Sequence, residues 1–136
     1  MNRFELVNKV LILNCQTKGY HTDIPWSLSV EQVQQIGFVN KMDGDDDSDF
    51  LVFITKDLKK RHLSLNRLEN YAKTVELIEQ LFSVNIHGIN IKDQGIYIYP
   101  KSEFGKPLYK KSLIKWLRIN LGFDHVADGD LNRIEQ

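Results

Sequence analysis

Residues 38–55 read Phe38-Val-Asn-Lys-Met-Asp-Gly-Asp-Asp-Asp-Ser-Asp-Phe50-Leu-Val-Phe-Ile-Thr55, and this stretch decides the fold. Phe38–Met42 and Phe50–Thr55 are rich in β-formers, and they flank the acidic run Asp43–Asp49. Two such segments around a polar tip predict a β-hairpin. Phe50, Leu51, Val52, Phe53 and Ile54 are all apolar, in a run too short for a helix. A strand with no polar face is buried on both sides, so it belongs in the interior of a sheet.

Upstream, Phe4, Val7, Val10, Leu11 and Cys15 fall at helical spacing and Gly19 supplies a stop, which predicts a helix over about 3–18. Leu6 and Leu13 leave it little polar surface. His21–Trp26, with Pro25, reads as a connector. Ser29 and Gln32 form a capping-box pattern closed by Gly37, which predicts a second short helix. Downstream, Asn66 and Glu69 offer a cap for a helix over about 65–82, with Leu68, Tyr71, Ala72, Val75, Ile78, Leu81 and Phe82 as its apolar stripe. Val84–Ile91 and Ile96–Tyr99 read as a second hairpin, bulged at Gly88. Pro107 and Gly122 bracket a last helix whose core face is Leu113, Trp116, Leu117 and Leu121. The expectation is one α+β domain over residues 1–136 in the order α-α-ββ-α-ββ-α. Helices pack on an antiparallel sheet of about four strands, and an acidic tail begins near residue 123. No sequence repeat accompanies the echo of the two hairpins.

The length of 136 residues suits that single domain. With Cys15 the only cysteine, an intrachain disulfide and a cysteine-based zinc site are both excluded. The longest apolar run near the N-terminus, Val10–Leu13, falls short of a secretory core or a membrane span, so the cytoplasm is the expected compartment. Eighteen Lys and Arg balance eighteen Asp and Glu, which excludes a strongly basic nucleic-acid binder. The charges are nevertheless segregated. Residues 43–57 hold six aspartates against Lys56, whereas residues 58–120 hold twelve bases against five acids. Lys111, Lys115 and Arg118 fall on one stripe of the last predicted helix, either a solvated face or an anion contact.

Asp43, Asp45, Asp46, Asp47 and Asp49 put five carboxylates within seven residues, where they repel one another unless a cation or a basic partner offsets them. The start of the run has calcium-loop spacing. Ser48 stands where that loop needs glycine and Ile54 where it needs a bidentate glutamate, so an EF-hand is rejected. His21, His62, His87 and His125 show no metal-ligand spacing, and Cys15 reads as a small core residue. Nucleophile-elbow, phosphate-loop and dinucleotide motifs are missing. One enzyme signal remains. Asp57-Leu58-Lys59 after a buried strand is similar to the PD-(D/E)xK nuclease pattern, in which carboxylates hold Mg²⁺ and a lysine orients water. The motif follows the strand and no Pro-Asp precedes it.

These features point to a non-enzymatic binding protein without a cofactor. In size, charge layout and lack of a paired nucleophile and base, the chain resembles the small immunity proteins of bacterial toxin systems, including contact-dependent growth inhibition. The resemblance implies a stoichiometric inhibitor that covers a cognate toxin, often a nuclease. Asp43, Asp45, Asp46, Asp47 and Asp49 would then face a basic protein partner. Inhibitors of host defence encoded by phages fit the same features. The alternatives are the Mg²⁺-dependent nuclease through Asp57 and Lys59, or an adaptor domain using Tyr97 and Tyr99 as a contact edge.

Overall fold

The computed structural model describes residues 2–15, 24–40, 49–89 and 95–108. Seven strands and one α-helix occupy these residues. They are β1 (Asn2–Val7), β2 (Val10–Cys15), β3 (Trp26–Ser29), β4 (Val33–Asn40), β5 (Asp49–Thr55), β6 (Lys60–Ser64), α1 (Tyr71–Phe82) and β7 (Ile96–Tyr99). The first three strands form one antiparallel sheet, and the rest form a second in the order β6-β5-β4-β7. The chain is therefore mostly β, not the expected α+β order.

The central hairpin lies where its sequence puts it. β5 pairs with β4 on one side and β6 on the other, and Phe50–Ile54 are at most 1% exposed. Its alternating side chains feed two clusters. Leu51 and Phe53 join Phe4, Leu11, Leu13, Ile36, Leu63, Val75, Ile78 and Ile98 in a core shared by both sheets and α1. Phe50, Val52 and Ile54 lie on the opposite face with Val39, Tyr97 and Leu108. Gly37 on β4 makes room there, because a Cβ at that position would lie 2.5 Å from Leu108 Cδ2.

The predicted N-terminal helix is instead the β1–β2 hairpin. Phe4 faces Leu13 and Leu6 faces Leu11 across it, with Val7 opposite Val10 and Asn8-Lys9 as the two-residue turn. Both turn residues have positive φ, 51° and 63°, as a type I′ turn requires. Buried residues at alternate positions on each strand, Phe4 with Asn2 and Leu11 with Leu13, have the period of a sheet. The Ser29–Gly37 helix is also overturned. Only Val30–Gln32 makes a single 3₁₀ turn, the Ser29 side chain caps nothing, and β4 begins at Val33.

Around α1, Leu65–Arg67 forms a 3₁₀ turn and the α-helix starts only at Tyr71. Asn70, at its N-cap position, turns its side chain on β1. The Phe4 N–H donates to Asn70 Oδ1 at 3.3 Å, and Asn70 Nδ2 donates to the Phe4 carbonyl at 2.7 Å. Beyond Ser83, residues 84–89 form no strand, which overturns the first arm of the predicted second hairpin and its Gly88 bulge. Glu79 accepts the N–H groups of Ile86 and His87, and Asn85 Oδ1 accepts that of Gly88, so a ladder has no access to them. β7 pairs with β4 instead. Pro107, the expected start of the last helix, instead bridges Ile96, while the rest of that helix and the acidic tail lie outside the described residues, as do Lys111, Lys115, Arg118, His21 and His125. Among the described residues, no helix is long and apolar enough to cross a membrane.

The N-terminal turn separates the two readings experimentally. Glycine relieves the left-handed strain at the second turn position, so Lys9→Gly is expected to stabilise the protein by up to about 1 kcal/mol in urea unfolding. Within a helix the same change would cost about 1 kcal/mol, and a loss of that size would argue against the hairpin.

Candidate functional site: a cationic groove between two edge strands

The outer edge of β1 is covered by residues 68–70, through the Asn2–Leu68 bridge and the Glu69 N–H donated to the Asn2 carbonyl at 2.9 Å. That of β7 is covered by residues 105–108. Gly105 N–H donates to the Tyr97 carbonyl, Tyr97 N–H to the Lys106 carbonyl, and Ile96 bridges Pro107. The outer edges of β3 and β6 flank a groove where the two sheets open.

Two depressions make up this groove. One, of about 470 Å³, is lined by Ile24, Pro25, Trp26, Ser27, Lys60, Arg61 and His62. The other, of about 370 Å³, is lined by Ser27, Leu28, Gln32, Thr55, Lys56, Asp57, Lys59 and Arg61. They meet at Ser27 and Arg61. Trp26 forms the floor, its ring 5.8 Å from Phe4 and 5.6 Å from Phe53, and its Nε1–H donates to the His62 carbonyl at 2.9 Å. The pairing of β6 with β5 explains that bond. Thr55 N–H donates to the Lys59 carbonyl, so alternation along the ladder turns the His62 carbonyl outward, where the indole reaches it.

Four cations, Lys56, Lys59, Lys60 and Arg61, line the groove with one carboxylate, Asp57. The β5–β6 turn supplies Lys56 and Lys59, and β6 supplies Lys60 and Arg61. Leu58 N–H donates to the Thr55 carbonyl at 2.9 Å, and Lys59 N–H donates to Thr55 Oγ1 at 3.0 Å. Leu58, 39% exposed, holds φ 65°, a strained position for a branched side chain. Asp57 accepts a hydrogen bond from the Thr55 hydroxyl and lies 3.7 Å from Lys59 Nζ. These contacts, the Thr55 hydroxyl foremost, hold its carboxyl below the usual carboxylate range.

Asp57 and Lys59 are thus brought together, as the nuclease pattern asks, but in a turn whose hydrogen bonds they close. No second carboxylate lines either depression. Among the described residues, no group of three His, Cys, Asp or Glu side chains is placed to hold a metal. Among the described residues, the other carboxylate held below its usual range is structural. Burial works against charge on Glu79, yet the N–H groups of His87 and Ile86 and the His87 ring keep its carboxyl below the usual range. His87 is exposed in a turn, not on the sheet surface expected of it, and Cys15 is half-buried on β2.

Of the predicted partner-binding residues, Asp43, Asp45, Asp46 and Asp47 lie outside the described residues. Asp49 opens β5 opposite Asn40, and its N–H donates to Asn66 Oδ1 at 2.9 Å. Tyr97 is 2% exposed and Tyr99 packs edge-on against Phe82 at 5.2 Å, so the tyrosines are packing groups and not a contact edge. Sequence reading missed Trp26, Lys60 and Arg61. Lys59-Lys60-Arg61 is a visible run of cations, but nothing local places it opposite residues 24–27.

Asp57 provides a pH test. A carboxyl held below its ordinary value contributes stability above that value, and the contribution is lost as pH falls through the folded-state value. Asp57→Ala is expected to lower the melting temperature at neutral pH. The gap to wild type should close as pH drops through and below 3.8, followed by circular dichroism. A gap independent of pH would remove the carboxylate from the turn's support.

Comparison with protein-family models, with curated proteins and with solved structures finds no match to this chain.

Proposed function

We propose that the chain is a non-enzymatic protein-binding inhibitor, of the kind that neutralises a cognate bacterial toxin by covering it. The observation that carries this reading is the pairing of Asn40 with Asp49. It fixes both ends of the acidic segment to the hairpin at the centre of the larger sheet. The run Asp43, Asp45, Asp46, Asp47 and Asp49 thus joins two adjacent central strands. A nuclease gathers cations around the phosphates of its substrate, and such a cleft attracts a compact set of carboxylates. The position of Asp57 supports this reading over the Mg²⁺ nuclease alternative, because that carboxylate is engaged by Thr55 and Lys59 within a turn.

Charges at such a contact govern association rate and partner choice more than raw affinity. The test uses the product of the reading frame adjacent to this gene, with stopped-flow binding at several salt concentrations. Asp45→Asn/Asp46→Asn/Asp47→Asn is expected to slow association at least tenfold at low salt and to flatten its salt dependence, with folding unharmed. Wild-type association rates in the triple variant at low salt would remove the acidic segment from the contact.

A further inference from the structure

We infer that the groove between β3 and β6 is a binding site for a nucleotide, with the phosphate on Arg61 and the base against Trp26. The inference stands independently of any toxin partner.

Arg61 is the first support. It lies where the two depressions meet, and it is half-buried. A guanidinium carries five N–H donors in a planar fork. Among the described residues, that of Arg61 makes one hydrogen bond, from Nη1 to the Lys60 carbonyl at 3.1 Å, and no carboxylate pairs with it. Lys56, in the smaller depression, is likewise without a carboxylate partner among them. A half-buried guanidinium with donors to spare and no counter-charge matches a phosphate, which accepts two parallel N–H bonds.

The surroundings of Arg61 select among phosphates. Depressions of about 470 and about 370 Å³ fall in the range of small-ligand sites. The larger has an apolar wall of Ile24, Pro25 and Trp26, and Ile24 is 64% exposed. Trp26 is half-buried, and Phe4 and Phe53 meet its ring at 63° and 57°, so neither lies flat against it. A nucleic-acid base stacks on such a ring whatever its identity. The smaller depression adds Lys56 and Lys59 beside Arg61. A ligand seated across Ser27 and Arg61 therefore has room for a flat base at one end and cations for its phosphate at the other. Inorganic phosphate would use only the second.

An acidic peptide is a poorer match. A peptide bound at a sheet edge adds as a strand, through the backbone groups of that edge. The pairing of Arg61 with Phe53 turns the Lys60 and His62 carbonyls out from β6. Both are taken, one by the Arg61 guanidinium and one by the Trp26 indole. Recognition at this edge therefore falls to side chains.

Titration of the isotope-labelled full chain at low salt, followed by amide resonances, tests this. Adenosine monophosphate is expected to give saturable shifts at the Ser27, Lys59 and Arg61 amides and at the Trp26 indole N–H. Adenosine and inorganic phosphate should each bind more weakly by about tenfold or more, and Arg61→Gln should weaken the monophosphate by as much. Should that variant fail to fold, Lys56→Gln/Lys59→Gln, at two exposed turn residues, replaces it with the same expected loss. A single-stranded trinucleotide separates two sources of the ligand. Tighter binding than the monophosphate assigns the groove to a nucleic-acid strand and equal binding to a free nucleotide, and either supports the inference. Absence of a saturable shift with both overturns it, as does undiminished affinity in the variant. Adenosine or inorganic phosphate binding as tightly as the monophosphate overturns it too. A glutamate oligopeptide that shifts these resonances where the nucleotides do not overturns it in favour of a protein ligand.

Discussion

β5 has no polar side chain between Phe50 and Ile54, and everything else in the structure answers to that constraint. A strand apolar on both faces must be covered twice and cannot lie at an edge, or it would present an aggregation-prone surface. Its neighbours β4 and β6 satisfy the backbone. On one face the first sheet and α1 close over Leu51 and Phe53. Phe53 is the hinge of that closure. It stacks on Phe4 of the first sheet at 6.3 Å, tilts against Trp26 at 5.6 Å, and meets Phe82 of the helix at 6.3 Å. Aromatic pairs at such distances add about 0.5–1.5 kcal/mol each beyond burial, enough to fix how the sheets sit on one another.

Two short open sheets have four edges, and the chain treats them in two ways. Residues 68–70 and 105–108 pair with β1 and β7 and remove those edges. At β3 and β6 protection comes from side chains, with the Trp26 indole on the His62 carbonyl and a run of cations along the strand. Charged residues on an edge deter neutral strands from adding to it. The same lysines and arginine gather in one concave opening.

What the sequence makes legible follows from how local each signal is. The β4–β5 pairing and the Val75, Ile78 and Phe82 part of the α1 stripe are written in neighbouring residues, whereas Tyr71 and Ala72, expected on that stripe, are exposed. The first hairpin reads two ways. Phe4, Val7, Val10, Leu11 and Cys15 match a helix period, while Phe4, Leu6, Leu11 and Leu13 match two strands around Asn8-Lys9. The Asn-Lys turn lacks the glycine that would mark it. At Ser29 the capping pattern produced only one 3₁₀ turn, because Val33–Asn40 is needed as the second neighbour of β5. That demand is tertiary and leaves no local mark. The groove was hidden for the same reason. Trp26 and Ser27 meet Lys60 and Arg61 only through the packing of two sheets.

β5 joins the acidic run of the sequence to the basic turn that follows. Its first residue, Asp49, ends the acidic run, and its last, Thr55, supports the turn that carries Lys56 and Lys59. The strand that is apolar on both faces thus carries a carboxylate at one end, Asp49, and at the other a turn with Lys56 and Lys59, six residues or about 20 Å away. Contacts made by exposed charges of that kind are selective for partner and sensitive to salt.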